Sequence, residues 1–123
     1  MKLERALFAN CEPYEPEDGL WWLAFDKEGP CGFACLRPMK SDGYSFLARC
    51  GVLARARGQG LQKRFIAVRE AKSKRLGINH LLTYVAFYNH PSANSLISAG
   101  YKLYKPQYKY GVRYALYFQK ILA

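Results

Sequence analysis

The sequence predicts an α/β (α+β) fold, a mixed and mostly antiparallel sheet with helices packed on it. Three observations carry this. The 123 residues are half apolar and 15% aromatic, enough to give one domain, residues 1–123, a real core. Period-two strand patterning runs to Leu53 and changes to a helical period from Gly60 to Leu76. A short apolar run, Leu81 to Tyr88, then precedes a second helix and two more strands.

Residues 1–19 are mixed and are expected to hold one short helix. Pro13 and Pro16 make Cys11 to Gly19 a loop. Leu20 to Phe25, Cys31 to Leu36 and Tyr44 to Leu53 read as three strands. The turns at Asp26 to Pro30 and Lys40 to Gly43 join them into an antiparallel meander. In the first helix Leu61, Phe65 and Val68 share one face, Lys63, Glu70 and Lys74 lie opposite, and Gly77 suits its stop. The run Leu81 to Tyr88 reads as a strand buried on both faces. Pro91 opens a short helix, Ser92 to Ala99, which Gly100 ends. Tyr101 to Lys105 and Val112 to Ile121 complete the order β-β-β-α-β-α-β-β.

Several classes are excluded or demoted. No apolar run reaches the roughly 20 residues of a membrane helix. With no signal-like start either, a cytoplasmic location is expected. Cys11, Cys31, Cys35 and Cys50 lack the spacing of a zinc knuckle, so they read as reduced, mostly buried thiols and no metal is expected. The net charge of +10 is uneven: residues 1–30 carry −4 and residues 31–123 carry +14. That field suits an anionic ligand such as a phosphorylated cofactor, nucleic acid or an acidic protein.

The chemistry centres on Val52-Leu53-Ala54-Arg55-Ala56-Arg57-Gly58-Gln59-Gly60-Leu61, where a strand enters a glycine-containing turn and then a long helix. The glycines remove Cβ atoms where a ligand must approach. The helix start offers free N–H groups and the positive end of its dipole. Together with Arg55 and Arg57 these make a socket for a pyrophosphate. The turn is too short for a Walker loop and lacks the third glycine of a Rossmann fingerprint.

A second block follows: Asn89, Ser92, Leu96 and Gly100-Tyr101. On these two blocks, in this order, the chain resembles the GCN5-related N-acetyltransferase (GNAT) family over about residues 20 to 122. Arg55, Gly58 and Gly60 match the family's Arg/Gln-x-x-Gly-x-Gly/Ala. Tyr101 stands in its later Gly-Phe position, and the strand of Gly32-Phe33-Ala34 resembles the one before the cofactor strand. The resemblance implies splayed central strands, at 44–53 and 80–88, with a cofactor slot between them. It implies acetyl-CoA, its pyrophosphate on the backbone of Arg57, Gly58, Gln59, Gly60 and Leu61. It also places the pantetheine arm along Val52 and Leu53, with Asn89 and Ser92 beside it.

The implied reaction is direct transfer of acetyl from acetyl-CoA to an amine. It needs an oxyanion donor, assigned to the Leu53 N–H, and proton carriers. The family's usual tyrosine position holds Leu96, and no Asp or Glu lies on the 44–53 strand. Tyr101, Tyr88 and Ser95 are the substitutes for the acid, and Tyr84 could relay water as base. The N-terminal part is short for the family. That implies an open acceptor groove, or one completed by a second subunit as a homodimer, and a large anionic acceptor such as a protein or aminoacyl-tRNA. The alternative class is a non-enzymatic, basic nucleic-acid-binding module with a degenerate CoA site. Its cue is the tyrosine-rich end, Tyr101 to Tyr117, interleaved with Lys102, Lys105, Lys109 and Arg113. Cys50 as nucleophile, His80 or His90 as base, and a groove-lining Trp21 or Trp22 are weaker candidates beside their structural readings.

Overall fold

The computed structural model describes residues 19–111 and 114–123, with residues 9–11 by their backbone. One seven-stranded sheet runs in the order β1-β2-β3-β4-β5-β7-β6. Its strands are β1 (Ala9–Cys11), β2 (Leu20–Asp26), β3 (Gly29–Met39), β4 (Tyr44–Val52), β5 (His80–Ala86), β6 (Lys102–Leu103) and β7 (Ala115–Ile121). The helices are α1 (Leu61–Arg75) and α2 (His90–Ser98). Every pairing is antiparallel except β4–β5. The meander β2–β3–β4 is as expected, because a short turn joins each strand to the next.

Helix α1 lies on one face of β3 and β4. Leu61, Phe65, Arg69 and Ser73, spaced four apart, form its buried stripe, with Ile66 beside them. Val68, expected on that stripe, is half-buried at its margin. The far end of α1 is pinned by Ser73, whose hydroxyl bonds Ser45 Oγ at 2.7 Å and Ile78 O at 2.8 Å. Lys120 ties β7 to both helices, through Glu70 and the carbonyl of Ala99. The core gathers Trp22, Ala34, Leu36, Leu47, Leu61, Phe65, Leu81, Leu96 and Phe118.

Three expectations change. Within residues 1–19, expected to hold a helix and a loop, Ala9–Cys11 pairs with β2 as an edge strand. The helix expected there lies outside the described residues. Strand β5 is not buried on both faces: Leu81 and Thr83 are buried, Leu82 and Tyr84 only half-buried, and Phe87 and Tyr88 lie beyond the strand in solvent. Among the described residues its outer face is covered by rings. Tyr84 meets Phe46, Tyr110 and Tyr117, and Tyr104 and Tyr110 share a hydrogen bond between their hydroxyls. Finally, the strand expected over Tyr101 to Lys105 shrinks to Lys102–Leu103, because Tyr101 turns into the core, and β7 begins at Ala115.

Candidate functional site

Strands β4 and β5 pair only at Ser45–Leu81 and Phe46–Leu82 and then separate. The separation starts at a bulge. Between Leu36–Leu47 and Ala34–Cys50, β4 has one residue more than β3. The extra residue bends β4, and Thr83 closes the apex of the gap with a 2.8 Å bond from its hydroxyl to Leu47 O. Two cavities, about 590 and 530 Å³, lie along the gap. They share Cys50, Gln62, Asn89 and Ser92 and form one continuous slot. Its outer part is lined by Val52, Arg57, Gly58, Gly60, Leu61 and Lys63, its inner part by Leu47, Arg69, Tyr84, Tyr88 and Leu96.

The outer end is built from backbone. Gly58 and Gly60 have φ of 77° and 80°, left-handed values that favour glycine. A Cβ on either would meet nothing within 4 Å, so the space above the turn is open. Gly60 precedes α1, which has no side-chain cap. The first-turn N–H groups of Leu61, Gln62 and Lys63 have no helical carbonyl behind them, whereas Arg64 already donates to Gly60 O. Uncapped donors, the helix dipole and the Lys63 and Arg57 side chains at one mouth suit a diphosphate.

Each sequence-predicted residue can now be placed. Val52, Arg57, Gly58, Gly60, Leu61, Asn89 and Ser92 line the slot. Arg57 donates from Nε to Val52 O at 3.1 Å. Asn89 caps α2, its Oδ1 accepting from the Ser92 N–H at 3.3 Å, so both are held by the helix start. Gln59 is exposed and reaches back to Arg55 O instead of lining the slot.

Arg55 faces away. It bonds Asp26 Oδ2 at 3.1 Å and Pro30 O at 2.9 Å, stapling the turn to the β2–β3 hairpin. That Arg55 hydrogen bond holds the Asp26 carboxyl below the usual carboxylate range. The Leu53 N–H is also taken, by Cys31 O at 2.8 Å, and the Arg57 N–H by Ala54 O at 3.2 Å. Amides alternate sides along an extended strand, so with Leu53 turned toward β3 those of Val52 and Cys50 face the gap.

Among the proton carriers, Tyr84 and Tyr88 line the inner slot. Tyr101 does not: it is 2% exposed, under Lys120, and its hydroxyl has no hydrogen-bond partner among the described residues. Burial and the neighbouring Glu70 carboxylate raise its pKa above the usual tyrosine value, which weakens it as an acid. Ser95 reaches the outer slot but bonds Pro91 O.

Cys50 points at Gln62 Oε1, 3.5 Å away, and burial pushes its thiol up, so it is a poor nucleophile. His80 bonds Gln119, and His90 is exposed at the start of α2. Trp22 is core, and Trp21 leans on Phe33 outside the slot.

Sequence reasoning missed Arg69, which is 3% exposed at the inner end. It donates from Nε to Phe65 O at 3.1 Å and from Nη1 to Cys35 O at 3.2 Å. Its signal was a cation in the i+4 stripe with Leu61 and Phe65, on the face a helix normally keeps apolar.

A mixed sheet splayed between its central strands, with an open glycine turn and an uncapped helix start at the mouth of the gap, is the architecture of an acyl-CoA N-acyltransferase. The model of the acetyltransferase (GNAT) family matches residues 2–101. The chain belongs to this family, whose reaction is acetyl-CoA-dependent N-acetyl transfer.

Solved structures with the same fold include an acetyltransferase of GNAT family from Staphylococcus aureus, at 14% identity and a TM-score of 0.76. The alignment covers 87% of this chain and 70% of that one. An acetyltransferase from Streptococcus agalactiae gives 16% identity and 0.76, covering 89% and 70%. A phosphinothricin acetyltransferase from Sinorhizobium meliloti, solved in complex with AcCoA, gives 18% and 0.69, covering 84% and 60%. No curated protein matches the chain.

Proposed function

We propose that residues 1–123 form a single acetyltransferase domain that holds acetyl-CoA in the β4–β5 slot and passes the acetyl group directly to an amine. The observation that carries this is the slot itself, open beside β4 and ending at the uncapped start of α1. The residues fit the cofactor. Gly58 and Gly60 leave room above the turn. The N–H groups of Gly58, Gly60, Leu61, Gln62 and Lys63 receive the diphosphate, Arg57 and Lys63 add charge, and Asn89 and Ser92 flank the arm. A phosphinothricin acetyltransferase of the same fold was solved with AcCoA, which supports this choice of cofactor.

When bound, acetyl-CoA supplies an activated thioester carbonyl. The outward amides of Val52 and Cys50 lie along the arm, so the Cys50 N–H replaces that of Leu53 as oxyanion donor. The Tyr88 hydroxyl, at the solvent side of the slot, donates the proton to the leaving sulfur, and Tyr84 positions a water that takes the proton from the amine. Alignment of the two reactants between β4 and β5 supplies a large part of the rate gain.

The excess of +14 over residues 31–123 supports a large anionic acceptor such as a protein or aminoacyl-tRNA. We place the protein in the cytoplasm as a homodimer whose second copy walls the acceptor groove. Among the described residues no helix is long and apolar enough to cross a membrane. No observation favours the nucleic-acid-binding alternative, since the tyrosines at 84, 104, 110 and 117 pack on one another as sheet cover.

Thermal melting with acetyl-CoA, followed by thiol release on adding a panel of amines, tests the reading. A rise in Tm and amine-dependent release are expected. An unchanged Tm at millimolar acetyl-CoA overturns it.

A further inference from the structure

The inner end of the slot contains a cation that the acetyl reaction does not use. Arg69 is almost fully buried, and among the described residues none of the ion pairs includes it. Nε and Nη1 are taken by two carbonyls. Nη2 makes no hydrogen bond among the described residues, and Arg69 lines the inner cavity beside Cys50, Thr83 and Leu96. A guanidinium removed from water and hydrogen-bonded only to carbonyls is poorly compensated, and its remaining Nη2 donors suit a carboxylate.

Position says where such a carboxylate would come from. Arg69 is eight residues after Leu61, about 12 Å further along α1 from the diphosphate end. It lies at the closed end of the gap, where β4 and β5 meet again at Phe46 and Leu82. A thioester arm entering from the α1 mouth brings its acyl group to this end. The pairing of Ser45 and Phe46 with β5 closes the far side, so the acyl group is the part of the bound thioester that lies nearest Arg69.

We propose that Arg69 makes this slot accept a short dicarboxylic acyl group, such as succinyl or malonyl, carried on CoA with its free carboxylate on Nη2. This rests on the slot holding an acyl-CoA as argued above. The transfer is chemically the same as for acetyl. The amine nitrogen forms a bond to the thioester carbon, the C–S bond breaks with its electron pair going to sulfur, and the amine proton ends on the CoA thiol. The carboxylate takes no part beyond anchoring the acyl chain.

The experiment is calorimetric titration of the wild-type protein with acetyl-CoA, succinyl-CoA and the uncharged amide analogue of succinyl-CoA, repeated with Arg69→Met and Arg69→Lys. Succinyl-CoA is expected to bind at least tenfold tighter than its amide analogue. Arg69→Met should remove that preference while changing acetyl-CoA affinity less than threefold, and Arg69→Lys should keep part of it. The wild-type comparison stands even if Arg69→Met does not fold. Binding of acetyl-CoA with the acid and the amide within threefold of each other overturns the inference alone. So does an equal loss for all three ligands in Arg69→Met, which marks a role common to every acyl group. No binding of any thioester overturns the slot reading itself.

Discussion

Gly60→Asp separates the cost of changing the turn from the cost of losing the ligand. Gly60 sits at φ 80° with open space where a Cβ would go, so the substitution adds backbone strain and no clash. Left-handed strain costs about 1 kcal/mol. A carboxylate beside the uncapped start of α1 returns about 0.5 kcal/mol through the helix dipole. The difference, about 0.5 kcal/mol, corresponds to a fall in Tm of only about 2 °C.

Binding is affected far more. The same carboxylate occupies the space above the turn. It competes for the N–H groups of Leu61 and Gln62, each worth about 1.5–3 kcal/mol to a charged acceptor. It also repels a phosphate, by about 4 kcal/mol at 4 Å for an effective dielectric near 20. The sum predicts loss of at least ~10³ in CoA affinity. Calorimetric titration with CoA reads this beside a thermal melt. A variant that folds and binds within tenfold of wild type refutes the assignment of the diphosphate to this turn.

Arg55→Met should leave CoA affinity within threefold but lower Tm at neutral pH. Asp26, whose folded pKa is depressed, contributes stability above its unfolded value near ~3.9 and loses it as pH falls through the lower folded value. The Tm difference between wild type and variant should therefore shrink as the pH of the melt falls below the unfolded value. Cys50→Ala should retain activity within a few fold in a thiol-release assay, because the buried thiol supplies little thiolate; complete loss would point to an acyl-enzyme. Tyr101→Phe removes a buried hydroxyl that has no hydrogen-bond partner among the described residues and should change Tm little with turnover unchanged. A large fall in the thiol-release rate would return Tyr101 to the reaction.

The elements that position the site were legible because each has a local cause. Short apolar runs between turn residues gave β2, β3 and β4, the i+4 stripe gave α1, and Pro91 gave α2. The socket was legible for the same reason, since Gly58, Gly60 and a helix start lie within four residues. What failed depended on partners distant in sequence. Arg55 was read as a ligand group, but Asp26 and Pro30 claim it from across the sheet. The Leu53 N–H belongs to Cys31 because β3 and β4 pair there, and a bulge that no local signal marks decides which β4 amides face the gap. Tyr101 looked reactive beside Gly100, yet it turns inward against Lys120.

The most direct test follows backbone amide resonances of the isotopically labelled protein while CoA is added. The account predicts the largest shifts at Gly58, Gly60, Leu61, Gln62 and Lys63, with smaller ones at Cys50, Val52, Asn89 and Ser92. Saturable binding that leaves those amides unmoved and shifts another region contradicts it.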